Sequence, residues 1–276
     1  MDLSYSANIV ESDIVKQIQI KLSEIEKAEN VRILHAVESG SRAWGFASPD
    51  SDFDVRFIYV RDMQHYFKLE KTRDVIEWQL DEVLDINGWD LQKSLRLLHS
   101  SNPTLFEWSN SPIIYQTTDD WIAIQKEINN YFLAKSGLYH YLSTATGNYR
   151  EYLKGETVKL KKYFYVIRPI LACKWILDKG CPPPMLFADL MEAELEPQMR
   201  PVIRRLLEQK STTPEMGEGN RIDELNLYID ETLTQLKTEI DALPPEQKTG
   251  WDGLNRLFMN TVFNEVNRQI ERSDSK

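Results

Sequence analysis

The stretch Glu38–Arg56, ESGSRAWGFASPDSDFDVR, decides how the rest of this 276-residue chain is read. It joins two apolar runs of strand length, Val31–Val37 (VRILHAV) and Phe53–Val60 (FDVRFIYV). Residues two apart on a strand project from the same face. Asp52 and Asp54 therefore stand together at the start of the second run, next to the turn that holds Gly40 and Ser41. Two like charges held close are unfavourable unless a cation sits between them. A divalent metal carrying the phosphates of a nucleotide meets that need.

Each part of the stretch has a chemical reason. Gly40 permits close approach of the backbone to a ligand. Backbone N–H groups there, with the Ser41 hydroxyl, suit phosphate oxygens, and Arg42 adds a charge-assisted donor. Gly45, Pro49 and the Ser/Asp cluster around them read as loop, and Ser51 shapes the turn into the acidic strand. Rival readings fail on spacing. Asp50, Asp52 and Asp54 begin like a calcium loop, but that loop needs Gly at its sixth position and Glu at its twelfth. Val55 and Arg61 stand there. A dinucleotide or Walker phosphate loop needs further glycines, or a Gly-Lys-Ser/Thr ending, and neither is present. An isolated Asp-x-Asp is more often a solvated turn than a metal site, so the weight lies on the whole constellation.

Gly40-Ser41-Arg42, Gly45, Ser48 and then Ser51-Asp52-Phe53-Asp54-Val55-Arg56 resemble the signature of the polymerase-beta-like nucleotidyltransferase superfamily. Within it the wording is similar to the bacterial RNA-ligase-associated, or "predicted", nucleotidyltransferase branch. The phrase Asn102-Pro103, Glu107-Trp108, Ser111-Pro112 resembles one in the same branch, although its residues by themselves read as a turn and a packed Trp. The resemblance implies that the Gly-Ser turn holds a triphosphate. It also implies that the paired carboxylates bind Mg2+ (or Mn2+) and that a third acid comes from a neighbouring strand. Two aspartates compete for that place. Asp85 lies inside the strand-like run Val83–Gly88, whereas Asp90 precedes the helical pattern Leu91–Leu98 and suits an N-cap. The superfamily's layout assigns Asp85 to the metal and Asp90 to the cap, with Glu77 and Asp81 behind them.

The remainder of the chain sets limits. No run is long and apolar enough to span a membrane. The N-terminus lacks the basic-then-apolar layout of a secretory signal. Two cysteines, Cys173 and Cys181, offer neither a disulfide framework nor zinc spacing, which fits a cytoplasmic location. A net charge of −10 makes the chain a poor non-specific binder of nucleic acid but does not oppose nucleotide binding through a metal.

Taken in order, Ile9, Val10, Ile14, Ile18, Leu22 and Ile25 recur at helical spacing. Strand-like runs around Val31–Val37, Phe53–Val60, Asp74–Trp78 and Val83–Gly88 follow, giving an α/β (α+β) domain with a small mixed sheet over 1–117. Helical periodicity takes over from 118, so 118–276 reads as an all-α domain forming the other wall of a cleft. Leu160, Phe164, Ile167, Leu171 and Trp175 form an apolar stripe on one of its helices. Lys161, Tyr165 and Arg168 line the adjacent face, either as nucleotide contacts or as a solvated basic flank of a core helix, and Pro169 predicts a kink there. These three residues lie outside the superfamily signature.

The expected activity is metal-dependent transfer of an NMP, ATP among the donors, to an acceptor hydroxyl with release of pyrophosphate. Asp52, Asp54 and Asp85 are the catalytic and metal-binding set; Gly40, Ser41 and Arg42 hold phosphates. The acceptor is an RNA end or a protein side chain. Two other classes fit the same core: an antitoxin-like AMP-transferase acting on a partner protein, and a non-catalytic nucleotide-binding protein.

Overall fold

The computed structural model describes residues 12–48, 51–80, 83–212 and 217–274. The first described element is α1 (Ser12–Glu29), whose Ile18, Leu22 and Ile25 are buried at the expected spacing, while Ile9 and Val10 lie outside the described residues. Then come β1 (Arg32–Glu38), the one-turn α2 (Gly40–Ala43), β2 (Phe53–Val60) and the short α3 (Met63–Tyr66). β3 (Val75–Leu80) and β4 (Leu84–Asp90) lead directly into α4 (Leu91–His99). The Asp90 side chain accepts from the Gln92 N–H, so Asp90 is the cap of α4. Next are α5 (Pro103–Ser109), β5 (Ile114–Thr117) and α6 (Asp119–Ile128).

These strands form a five-stranded mixed sheet in the order β3-β4-β2-β1-β5. β2 and β4 run parallel with Asp54 opposite Asp85, and the other neighbours are antiparallel. β1 is buried along nearly its whole length because both faces of the sheet are covered. On one face Ile33, Val55, Phe57 and Ile86 pack beneath α1. On the other, Leu34, Val37, Ile58 and Val60 meet α4, α5 and α6.

The remaining elements are mostly helical: α7 (Ala134–Tyr152), β6 (Thr157–Lys159), α8 (Lys162–Lys179), α9 (Phe187–Glu194), α10 (Arg200–Thr212), β7 (Glu218–Asn220), α11 (Asp223–Ala242) and α12 (Asp252–Asp274). α7 to α11 share a separate core built on Phe164, Ile167, Ile170 and Leu171 of α8. Three details differ from the sequence reading. Thr157–Lys159 pairs with β7, so Lys161 precedes α8 rather than lying on its face. α8 runs unbroken through Pro169, held by buried neighbours on both sides. α6 and α12, from the helical half of the sequence, pack on the sheet: Leu254 and Val262 join the core of Leu34 and Trp121. Arg32 of β1 fixes that arrangement, bonding Asp120 of α6 at 2.6 Å and Glu265 of α12 at 2.5 Å. Among the described residues no helix is long and apolar enough to cross a membrane.

Candidate active site

The parallel pairing of β2 with β4 places Asp54 and Asp85 side by side. Arg56, two residues along β2 and on the same face, bridges them: its Nη2 donates to Asp54 Oδ1 at 2.8 Å and Asp85 Oδ2 at 2.6 Å. Its Nη1 donates to the backbone carbonyl of Asp85 at 2.8 Å. Burial pushes the Asp54 carboxyl above the usual aspartate range; Arg56 opposes this, and the charges of Asp52 and Asp85 push it further up. Negative charge at this corner of the sheet thus exceeds what one guanidinium balances.

The turn after β1 meets the same carboxylate. Gly40 has φ +60°, the left-handed region, and a Cβ at this position would lie 2.0 Å from Asp54 Oδ2. Only glycine satisfies both conditions. The Ser39 N–H donates to the Asp54 carbonyl at 2.8 Å, and Ser41, the next residue into the turn, is buried. Arg42 points back along its own loop. Its Nε donates to the Asp52 carbonyl at 3.0 Å, its Nη2 to the Ser51 carbonyl at 2.6 Å, and its guanidinium covers the Phe53 ring at 3.7 Å. The Ser51 hydroxyl accepts from the Ser48 N–H at 2.9 Å, completing the turn into the acidic strand.

The helical half contributes unequally. Tyr165 of α8 is brought to the aspartates: burial raises its hydroxyl pKa first, and the charges of Asp54 and Asp52 raise it further. Its ring meets Trp44 edge-on at 5.6 Å, with the Lys162 ammonium 4.9 Å from its centre. Lys161 immediately precedes Lys162, the first residue of α8; burial chiefly, then the charges of Lys161 and Lys159, hold the Lys162 ammonium below its ordinary range. Arg168 is only 3% exposed and lies behind Trp44, 4.6 Å from that ring. Its Nη1 donates to Glu107 Oε1 at 2.8 Å and its Nη2 to the Met185 carbonyl at 3.3 Å. Arg168 therefore ties α8 to α5 and to Trp44 after the Gly40 turn. Glu77 pairs with Arg73 on the surface, and Asp81 lies outside the described residues.

Three further residues belong to the site. Trp44 joins the turn to Tyr165 and Arg168. Glu38 is fully buried at the end of β1; its Oε1 accepts from the Asp54 N–H at 2.7 Å, and the Tyr115 hydroxyl donates to its Oε2. Burial pushes the Glu38 carboxyl up to about 7 against the opposing effect of the Tyr115 hydrogen bond. A carboxylate closing an otherwise apolar buried strand was the available signal for Glu38. Tyr115 lies on β5, a short edge strand that the sequence does not announce.

The donor set suits a divalent cation at Asp52 and Asp54. Arg56 takes Asp54 Oδ1 and leaves Oδ2 beside Gly40, in a cradle that a Cβ would fill. Because Arg56 stands between Asp54 and Asp85, the three aspartates are not gathered as a ready ligand set. Among the described residues no three His, Cys, Asp or Glu side chains are. Cavity size points elsewhere: spaces of about 620 and 360 Å3 lie against Lys174 and Glu196, and against Trp175 and Pro183. Neither is lined by Asp52, Asp54 or Asp85.

Residues 14–260 match the RNA repair pathway DNA polymerase beta family. The chain is 45% identical over 246 residues to the uncharacterized protein YcgL of Bacillus subtilis (strain 168), covering 88% of this chain and 94% of that one. It also aligns with the crystal structure of a nucleotidyltransferase-like protein from Exiguobacterium sibiricum 255-15 at 13% identity and a TM-score of 0.29, over 82% of this chain and 75% of that one.

Proposed function

Since the chain belongs to the RNA repair pathway DNA polymerase beta family, within the polymerase-beta-like nucleotidyltransferases, we propose that it moves a nucleoside monophosphate from a nucleoside triphosphate onto an acceptor hydroxyl, with Mg2+ or Mn2+ as cofactor. One observation carries the reading. Asp54 is packed against the Gly40 turn on one side and aligned with Asp85 on the other, with Asp52 adjacent.

In this reading Asp52 and Asp54 would hold the metal. When bound, the cation supplies charge neutralisation for the triphosphate and for the developing charge on the transferred group. The Gly40–Ser41 turn receives the β- and γ-phosphates, while Arg42 keeps the Ser51–Asp52 backbone in place. The acceptor oxygen forms a bond to the α-phosphorus; the bond to the bridging oxygen breaks and pyrophosphate leaves. The acceptor's proton passes to Asp85 Oδ1, the oxygen Arg56 does not engage. Tyr165 and Lys162 line the helical wall of the cleft against the donor nucleotide. Arg56 keeps Asp54 and Asp85 apart and aligned, so that one binds metal and the other takes the proton. The family description favours an RNA end as acceptor.

The test is pyrophosphate release from each of the four triphosphates with Mg2+ and RNA ends. Turnover that disappears with EDTA and with Asp54→Asn supports the reading. Turnover indifferent to both overturns it. Label transferred from ATP to protein instead of RNA would move the assignment to a protein-modifying enzyme.

A further inference from the structure

Holding Asp54 requires more than its own strand. Its peptide is gripped on both sides by the end of β1: the Ser39 N–H donates to the Asp54 carbonyl at 2.8 Å, and the Asp54 N–H donates to Glu38 Oε1 at 2.7 Å. The second contact is unusual in kind. A side-chain carboxylate replaces a backbone carbonyl as partner of a strand N–H, and that carboxylate is completely buried. An unpaired carboxylate there would be strongly unfavourable, and its other oxygen is satisfied by the Tyr115 hydroxyl from β5. The Ser111 hydroxyl donates to the Glu38 carbonyl at 2.6 Å and fixes the backbone of the same residue. None of these groups is needed to form the sheet, since Glu38 already pairs with Val55 in the β1–β2 ladder. They converge on Glu38, two residues before Gly40, and through its carboxylate on the peptide that carries Asp54.

We propose that Glu38, anchored by Tyr115, is a positioning residue for the metal-binding Asp54. It sets where the carboxylate stands relative to the Gly40 turn and to Asp52, without touching metal or substrate. The fit leaves little room for error: Gly40 already allows no Cβ beside Asp54 Oδ2. A small displacement of the Asp54 peptide would turn that oxygen into the turn or away from Asp52. Partners that orient a ligating carboxylate commonly change metal affinity or activity by about 10–100-fold when removed. This inference rests on the nucleotidyltransferase reading above.

The experiment is a titration of the intact protein with Mn2+, followed by electron paramagnetic resonance, alongside kcat and KM for the triphosphate. Wild type, Asp54→Asn, Glu38→Ala, Glu38→Gln and Tyr115→Phe are compared, with thermal unfolding as the folding control. Asp54→Asn defines the specific site by abolishing it. Glu38→Ala is expected to weaken Mn2+ binding by about tenfold or more and to lower kcat while KM for the triphosphate stays within about threefold. Glu38→Gln retains one carbonyl oxygen for the Asp54 N–H and is expected to restore much of the loss. Tyr115→Phe should fall between Glu38→Gln and wild type. If Glu38→Ala does not fold, the other two variants decide. Wild-type Mn2+ affinity and kcat in every folded variant overturn the proposal while leaving the enzyme reading intact. Absence of any Asp54-dependent Mn2+ site in wild type removes both.

Discussion

Two arginines separate the molecule into a charged site and a charged buttress. Arg56 faces two aspartates, with a third adjacent, at the end of the sheet. Arg168 faces one glutamate, Glu107, between α8 and α5. In the first place negative charge is left over, and Asp54 is held above its ordinary pKa by burial and by its like-charged neighbours. In the second, cation and anion match one to one in surroundings where the arginine side chain is 4% exposed. A charge left unbalanced at a cleft needs something from solution; a balanced buried pair needs only its partner. The proposed function draws on the first arrangement, and the second is a structural tie between α8 and α5.

The strongest way to break this contrast is Asp54→Asn. It removes a charge the site has in excess, so turnover should fall by roughly 10³-fold or more while the thermal midpoint stays level or rises. A variant that unfolds instead would place Asp54 with the structural pairs. Arg168→Met should do the reverse. Removing one member of a buried pair costs about 3–5 kcal/mol of stability, to be read in urea unfolding, and Glu107→Gln in the same chain should recover part of the loss.

A third probe sharpens the structural side. His35 is buried in β1, stacked on Trp121 at 4.6 Å, and burial holds its imidazole down to about 4. The folded protein therefore resists protonation that the unfolded chain accepts near pH 6.5. Stability attributable to His35 is complete above that pH and is lost as pH falls towards 4, by about 3 kcal/mol in all. His35→Gln should flatten this part of the stability–pH curve; an unchanged slope would remove His35 as its source. The smallest effect is expected for Gly40→Ala. Its left-handed backbone and the clash with Asp54 should cost about 1–3 kcal/mol of stability, with a further loss of turnover through the displaced carboxylate.

Legibility in the sequence follows the same division. The Gly40 turn and the place of Asp54 at the start of β2 are set by neighbours a few residues apart and could be read from spacing, whereas Asp52 precedes that strand and does not alternate on it. Asp90 as a cap was equally local, since its acceptor role needs only Gln92. The partner of Arg168 lies 61 residues away, so a sequence pattern that places it on a helix face cannot say whether that face meets solvent or Glu107. The return of α12 to the sheet depends on Arg32 meeting Glu265, 233 residues distant. Glu38 stood at the edge of the recognised stretch, but its role needs Tyr115, 77 residues on, in a strand too short to leave a pattern.

The central claim is that the excess negative charge beside Gly40 is a metal site for a nucleotide's phosphates. The direct measurement is anomalous diffraction from crystals grown with Mn2+ and a non-hydrolysable nucleoside triphosphate. The account predicts a manganese peak at coordination distance from Asp52 and from Asp54 Oδ2, with the triphosphate against Gly40 and Ser41. A peak away from both aspartates, or a nucleotide bound elsewhere with Arg56 alone neutralising the cleft, would contradict it.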